Sequence, residues 1–220
     1  MSTYPIPHGV DLQKVIGVLR RSGFEGPQQL RGYIPCNLVG GGTANYAGGP
    51  NPERYRPMGI SGVTVGTGVD LGQTDVATLR DIGVSEPLIR RLRSYIGERR
   101  EDAVEALHAA PLTLAQDEAD ALDMAMISHH VAKISARYDR DAGTDAFAAL
   151  PWQAQAVIVS LLYQRGVGSP KKYPNTWAAL VRSDWRDAAD RLRNARLWQG
   201  YHHRRASEGR LLETVIPEAS

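Results

Sequence analysis

The sequence predicts an α+β fold, and three observations support that prediction. The first 72 of the 220 residues hold 15 of the 22 glycines, so composition differs between the start of the chain and the rest. Residues 60–70 alternate between β-branched and small or polar side chains, as a strand does. From Thr74 onward, apolar residues recur at helical spacing. We therefore expect a small β-containing lobe followed by a larger helical lobe.

The length fits one domain over residues 1–220. A chain of this size can bury roughly 70% of the surface that its unfolded form exposes, so it folds without a metal or a disulfide. We place the first helix and a Gly-rich β lobe with a long loop at about 11–73, and the helical lobe at about 74–215. Residues 73–150 carry a net charge of −5 and residues 151–220 a net charge of +5, which sum with the N-terminal part to +2.

Several classes of protein are excluded by what the sequence lacks. Cys36 is the single cysteine, which excludes an internal disulfide framework and a cysteine-based zinc site. Residues 1–10 contain no apolar run of the kind found in a secretory signal. No stretch approaches the roughly 18 apolar residues of a membrane helix. We expect a chain made in the cytoplasm without a signal peptide, with no membrane insertion, no metal and no cofactor.

The remaining elements follow from local pattern. Residues 11–22 are predicted to form a helix with Asp11 as its cap and Gly23 as its stop. The Gly-, Pro- and Asn-rich residues 36–59 show no periodicity, and we expect a long loop there. Helices are expected near 75–82, 86–96, 98–108, 114–138, 151–163, 175–181, 185–197 and 203–214.

Three side chains stand out in the first third of the chain. Glu25 follows Phe24 near the C-terminal end of a helix, where an apolar site and the helix dipole both disfavour an ionised carboxyl, as a general acid requires. Thr64 and Asp70 lie on the nearly bare face of the predicted strand, which suits close approach of a ligand. A straight strand would separate Thr64 from Asp70 by roughly 20 Å. A surface position for Glu25 and a turn-forming role for Asp70 stay open at this point.

The histidines and the C-terminal arginines are weaker candidates. His129 and His130 are adjacent, as are His202 and His203, and neighbours in a helix do not share the face that a metal pair needs. The C-terminal basic residues are typical of a solvated helix face or of a patch for an anionic polymer: Arg191, Arg193, Arg196, Arg204, Arg205 and Arg210. No aromatic–basic pattern accompanies them, which argues against nucleic acid as a partner.

The order of the motifs resembles the phage-type lysozymes, and more closely their pesticin-like branch. Phe24, Glu25 and Gly26 match an E-G motif, and residues 32–35 match a G-Y-V/I-P motif. Residues 61–73, S-G-V-T-V-G-T-G-V-D-L-G-Q, match the branch's strand motif. Residues 155–166 look like the central buried helix of the T-even phage enzyme, and residues 204–206 resemble its closing N-R-A segment. The resemblance covers most of residues 11–215.

This resemblance implies a lysozyme-like fold with a cleft between two lobes, and a muramidase that cleaves the β-1,4 bond between N-acetylmuramic acid and N-acetylglucosamine. Carried over by position, Glu25 is the general acid and Thr64 helps to hold the attacking water. Tyr33 and Gln164 are expected to bind the substrate, a peptidoglycan glycan strand.

The second carboxylate is the point at which the sequence departs from the family. The segment after Tyr33 contains no acid and has Cys36 where the family places its second carboxylate. Glycosidases generally use two carboxyl groups. The second one is then Asp70, Glu53, or absent, and we rank Asp70 first because it lies in the D-L-G-Q motif.

Three functions follow from these alternatives. The first is a hydrolase of glycan strands, as an antibacterial effector or toxin, or as an endolysin. The second is a lytic transglycosylase that uses Glu25 alone. The third is a peptidoglycan-binding module without catalysis. In each case we expect action on the wall in the periplasm of a target cell, after export or lysis, and a toxin would have a cognate immunity or inhibitor protein as a further partner.

Overall fold

The computed structural model describes residues 8–217, and over this range it combines nine helices with a small antiparallel sheet. This confirms the α+β prediction. The expectation for the N-terminus falls largely on residues 1–7, which lie outside the described residues. The chain divides into two compact units, and the prediction of a single domain stays a prediction. We call Pro27–Met126 the sheet unit, and residues 8–26 with 127–217 the helical unit.

Five antiparallel strands make up the sheet. β1 (Gln29–Leu38) pairs with β2 (Thr43–Tyr46), β3 (Tyr55–Pro57) and β4 (Thr64–Gly66), and β4 also pairs with β5 (Val69–Asp70). The strands order as β2-β1-β4-β5, with β3 as an additional partner of β1.

The expected long loop over residues 36–59 is instead the end of β1 followed by β2 and β3. Cys36 pairs with Ala44 on one strand and with Pro57 on the other, and its side chain is fully buried. Gly40, Gly41 and Gly42 have φ between +85° and +105°, which supplies the reversal between β1 and β2. Strands this short, separated by glycine-rich turns, leave too few residues for a period of two to be visible.

Residues 60–70 form a hairpin, so the single strand predicted there is wrong. Thr64 lies opposite Asp70, and Val65 lies opposite Val69. Gly66 and Gly68 have φ of +64° and +76°, in the left-handed region that glycine tolerates, and the chain reverses between them. Gly66 and Gly68, which leave one face of the predicted strand without side chains, are therefore the residues at which the chain reverses.

Three short helices complete the sheet unit: α2 (Val76–Asp81), α3 (Glu86–Leu92) and α4 (Arg100–Ala109). The side chains of Asp75 and Ser85 cap the first two by accepting hydrogen bonds from backbone N–H groups. The core of this unit joins the strands to these helices through buried side chains that include Val63, Val65, Leu79, Ile89, Leu92 and Leu107.

The helical unit contains α1 (Leu12–Leu19), α6 (Trp152–Arg165), α7 (Pro174–Val181), α8 (Trp185–Arg193) and α9 (His202–Glu213). Asp11 caps α1 as predicted, accepting from the backbone N–H of Lys14 at 3.0 Å. The middle of α6, residues 154–162, is buried on all sides, as expected for a core helix. Gln155 and Ser160 are polar residues within that buried stretch.

The longest helix is α5 (Gln116–Ala142), and the unit boundary falls within it, after Met126. No helix among residues 8–217 is both long and apolar enough to cross a membrane.

Candidate active site

Glu25 is fixed by the backbone at the end of α1. Its N–H and that of Gly26 both donate to the carbonyl of Leu19, at 2.9 and 3.2 Å. Its side chain is 17% exposed, and the neighbouring Phe24 packs partly buried against the core of the helical unit. Glu25 therefore lies just after the first helix, as predicted. The backbone hydrogen bonds alone fix the position of its main chain.

The Glu25 carboxylate contacts a buried cation. Arg204 Nη1 lies 2.5 Å from Glu25 Oε1, and the Arg204 side chain is only 8% exposed. The same guanidinium donates from Nη2 to the carbonyl and to the hydroxyl of Ser160, each at 2.9 Å. Since three of its contacts are to groups on other elements, Arg204 has little freedom to leave Glu25.

A second group of buried charges, Glu208 and Arg205, adjoins this ion pair. Glu208 is fully buried; it accepts from Ser160 Oγ at 2.6 Å and pairs with Arg205 Nη1 at 2.9 Å. Arg205 is also fully buried and donates from Nη2 to Gln164 Oε1 at 2.5 Å. Burial raises the pKa of the Glu208 carboxyl, and the charges of Arg205 and Arg204 oppose that rise. We call Glu25, Ser160, Gln164, Arg204, Arg205 and Glu208 the acid cluster.

Most of this cluster is not evident from the sequence. A solvated helix face is wrong for Arg204 and Arg205, which are 7% and 0% exposed. The available signal was the spacing to Glu208, four and three residues later on α9, which brings opposite charges together on a helix. Such spacing is common on exposed helices, so it becomes informative only together with Gly209, where α9 packs so closely on α8 that an added Cβ would lie 2.9 Å from the carbonyl of Ala189.

A cavity of about 350 Å³ lies beside the acid cluster within the helical unit. Phe24 and Arg204, which flank and contact Glu25, line it together with Gln164. Gly23, Gly200, Tyr201 and His203 complete its wall. The lining combines a cation and an amide with aromatic side chains, as polar ligand sites do, and the Glu25 carboxylate contacts this lining through Arg204.

The sheet unit holds the other predicted residues in one row. Thr64 lies opposite Tyr33 of β1 on one side and opposite Asp70 of β5 on the other. Side chains of directly opposite residues point to the same face, with Cβ atoms about 5 Å apart. The separation of roughly 20 Å expected between Thr64 and Asp70 is therefore wrong, because the hairpin turn folds Asp70 back beside Thr64. We call Tyr33, Thr64 and Asp70 the strand row.

Asp70 has two roles in this hairpin. Its Oδ1 accepts hydrogen bonds from the backbone N–H of Gly72 at 2.9 Å and of Gly62 at 3.1 Å. Burial raises the pKa of the Asp70 carboxyl, and these two hydrogen bonds and the charge of Arg99 oppose the rise. Both bonds end on Oδ1, and among the described residues Oδ2 has no hydrogen bond. One oxygen holds the turn and the other is left for a ligand or water.

A third carboxylate, Asp123, anchors the tip of the same hairpin. It is fully buried on α5 and accepts from the backbone N–H of Thr67 at 2.8 Å and from the Thr67 hydroxyl at 2.5 Å. Gln28 Nε2 donates at 2.8 Å to Asp123 Oδ2, the oxygen that also accepts from the Thr67 hydroxyl. Asp123 could not be recognised as a candidate from the sequence, because nothing in the local sequence distinguishes a buried acid from an exposed one within a charged helix.

Cys36 and Glu53 are placed away from the strand row. Cys36 is buried in the core of the sheet unit, where burial raises the pKa of its thiol. Glu53 is exposed on a turn just before Tyr55, which pairs with Leu38. Leu38 is five residues along β1 from Tyr33, about 17 Å for an extended strand.

The described residues contain no group of three or more His, Cys, Asp or Glu side chains arranged to hold a metal ion. His129 and His130 lie within α5, and His130 stacks edge-on against Tyr163 at 4.9 Å between ring centroids. Burial lowers the pKa of His130 to about 4, so its imidazole is neutral at neutral pH.

Comparison with known families places the chain beside bacterial toxins related to phage lysozyme. A family model described as "Pesticin: Bacterial toxin homologue of phage lysozyme, C-term" matches residues 16–186. That range includes Glu25, Gln164 and the whole strand row, and ends before Arg204, Arg205 and Glu208. No curated protein matches the chain.

Proposed function

The chain belongs to the pesticin family, the bacterial toxin homologues of phage lysozyme, and on that premise we propose that it hydrolyses peptidoglycan. The bond cleaved would be the β-1,4 bond between N-acetylmuramic acid and N-acetylglucosamine. The observation that carries the proposal is Glu25, a carboxyl group fixed by the backbone and contacting a buried arginine beside a polar cavity. Membership of a toxin family favours an effector or toxin over an endolysin.

In this proposal Glu25 is the general acid that protonates the leaving glycosidic oxygen. Loss of that proton leaves a carboxylate, and Arg204 Nη1 at 2.5 Å stabilises the negative charge as it forms. Gln164 commits its Oε1 to Arg205, so its amide N–H₂ remains to donate to a sugar hydroxyl or acetamido carbonyl in the cavity.

Within the sheet unit, the strand row carries the groups that we propose to activate the attacking water. Thr64 and Asp70 lie on one face of the hairpin. The Thr64 hydroxyl donates to the carbonyl of Gly62 at 3.5 Å and accepts from the attacking water, whose proton the Asp70 carboxylate takes. Tyr33, next in the row, offers an aromatic face for a sugar ring. We assign the second carboxylate to Asp70 because Glu53 is separated from Thr64 by about half the length of β1.

Mass analysis of the muropeptides released from purified sacculi tests this proposal. Products with a reducing end are expected, because hydrolysis adds one water. Products lighter by one water would contradict hydrolysis and would identify a lytic transglycosylase that needs Glu25 alone. Sacculus binding without any released fragment would contradict an enzyme altogether.

Two variants test the assignment of the second carboxylate. Removal of a base typically costs 10²- to 10⁴-fold in rate, so Asp70→Asn is expected to lose about that much activity. Glu53→Gln is the matched control and is expected to keep full activity. The reverse result, with activity lost in Glu53→Gln and kept in Asp70→Asn, would overturn the assignment, provided that both variants retain the wild-type circular dichroism spectrum.

A further inference from the structure

We propose that a second cavity of the helical unit, at the start of α7, binds a phosphate ester group. This cavity has a volume of about 240 Å³ and shares no lining residue with the cavity beside the acid cluster. The inference goes beyond the proposed function, because it concerns a ligand group that the glycan strand itself does not contain.

The floor of the second cavity is aromatic. Tyr173 and Trp198 line it, with ring centroids 5.3 Å apart and side chains 8% and 5% exposed. The Tyr173 hydroxyl is 2.5 Å from the Ser169 hydroxyl, and the Trp198 indole N–H donates to the carbonyl of Arg191 at 2.9 Å. The polar atoms of both rings are therefore satisfied within the protein, and the floor is rigid before any ligand enters.

Cations line the cavity above this floor. Among residues 8–217, neither Arg165 nor Lys172 forms an ion pair with an acid, although Arg165 stacks on the Tyr201 ring at 5.0 Å. Arg191 is the third cation, and it pairs with Asp187 at 2.8 Å. The residues that line the cavity therefore include three cations and no acid, and one of the cations is paired with Asp187.

Hydrogen-bond donors come from the first turn of α7. No side chain caps this helix, and Pro174 stands at its first position, so the backbone N–H groups of Asn175 and Thr176 have no acceptor among the described residues. Thr176 also lines the cavity, and its side-chain hydroxyl makes no hydrogen bond within the described residues although the residue is only 3% exposed. The Thr176 hydroxyl is therefore free to donate a hydrogen bond to a ligand in the cavity that it lines.

These features together fit a phosphate better than a carboxylate. A phosphate monoester has three non-bridging oxygens and a phosphodiester has two, and these oxygens can accept from the two backbone N–H groups, the hydroxyl and the cations of the cavity. The start of a helix adds a partial positive charge on the same side. The aromatic floor and the exposed Leu197 give the ester's organic part an apolar surface. Two kinds of molecule contain such a phosphate ester: a small phosphorylated metabolite and a phosphodiester polymer of a cell wall.

Titration of the full chain with glycerol phosphate, followed by calorimetry and by amide chemical shifts, tests the inference. The amide signals of Asn175 and Thr176 are expected to shift on binding. Lys172→Gln and Thr176→Val are each expected to weaken binding about tenfold, because each removes one hydrogen bond to a charged group. Lys171→Gln is the matched control: it removes an equal charge from the neighbouring exposed residue, which does not line the cavity, and affinity is expected to stay within about twofold.

Three outcomes would overturn the inference. The first is the absence of binding at millimolar glycerol phosphate. The second is an equal loss of affinity in Lys171→Gln and Lys172→Gln, which would show general attraction to a basic surface. The third is equal binding of acetate or of a peptide carboxylate, which would show that the site does not select phosphate.

A parallel titration with poly(glycerol phosphate) distinguishes the two sources. Binding of the polymer with the same dependence on Lys172 and Thr176 supports a wall polymer as the ligand, and binding of the monomer alone supports a small metabolite. Thr176→Val keeps the size and shape of the side chain, so its thermal unfolding curve shows whether the helix remains folded. Neither readout depends on glycosidase activity, so the inference and the proposed function can fail separately.

Discussion

At the scale of single residues, the acid cluster rests on charges that are almost completely removed from water. Glu208 lies between Arg204 and Arg205, and all three side chains are 8% exposed or less. Breaking a buried ion pair by removing one partner typically costs about 3–5 kcal/mol, because the other charge is left buried without compensation. Arg204 therefore depends on Glu208 for its position beside Glu25, although Glu208 itself does not contact Glu25.

Glu208→Gln is expected to lower the free energy of unfolding by about 3–5 kcal/mol, measured by urea denaturation. Glu213→Gln is the matched control on the same helix, since Glu213 forms an exposed ion pair with Arg193 and such pairs contribute about 0–1 kcal/mol. Similar small losses in both variants would contradict the compensating role of Glu208.

The raised pKa of Asp70 predicts how the stability of the protein depends on pH. Burial raises its pKa above the value of 3.8 for the unfolded chain. Its contribution to stability is therefore complete below pH 3.8 and is lost as the pH rises through the raised folded value. Urea denaturation of wild type and Asp70→Asn between acidic and neutral pH should show the wild type losing stability relative to the variant as the pH rises. Parallel profiles, or a relative gain by the wild type, would refute the assignment of the shift to Asp70.

At the scale of elements, the β4–β5 hairpin brings Thr64 and Asp70 together, and its tip is held by Asp123. Gly66 has φ of +64°, and a Cβ at this position would overlap Asp123 Oδ1. Asp123 would then have to release the backbone N–H of Thr67. The geometry of the strand row thus depends on one glycine and one buried carboxylate at the turn.

Gly66→Ala is expected to be more destabilising than Gly83→Ala by about 1.5–3 kcal/mol, the cost of a lost hydrogen bond to a charged group. Gly83 is the matched control because it also has a positive φ, +87°, but nothing lies within 4 Å of an added Cβ. Thermal and urea denaturation of the two variants measure the difference. Equal destabilisation would mean that Asp123 does not restrain the turn.

The helices could be predicted from the sequence more fully than the strands. Apolar periodicity placed α4 to α9 to within a few residues, and Asp11 was recognised as a cap. The hairpin could not be recognised, because an alternating pattern looks the same whether Gly66 continues a strand or reverses it. Arg205 was missed for a related reason: burial of a charge depends on partners that are distant in sequence, here Gln164, at 41 residues.

At the scale of the whole molecule, the charge is divided along the chain. Residues 151–220 carry a net charge of +5, and several of their arginines, such as Arg186 and Arg196, are exposed. Peptidoglycan sacculi are anionic, so this charge assists association over distances of about the Debye length, roughly 10 Å at 0.1 M salt. The buried Arg204 and Arg205 do not contribute to this surface.

Sacculus binding is therefore expected to weaken severalfold as ionic strength rises from about 0.05 to 0.5 M. Pelleting assays with the Glu25→Gln variant measure binding without digestion of the wall. A double variant, Arg186→Gln with Arg196→Gln, should bind more weakly at low salt and show a shallower salt dependence. Binding that is independent of salt would contradict electrostatic attraction to the wall.

The release of soluble muropeptides from purified sacculi by Glu25→Gln, with Glu213→Gln as the control, tests directly whether Glu25 is the general acid. If Glu25 is the general acid, its replacement by an amide that cannot donate the proton should reduce release at least about 10²-fold. The circular dichroism spectrum should stay unchanged, and Glu213→Gln should release muropeptides at the wild-type rate. Wild-type release by a folded Glu25→Gln variant would contradict the account.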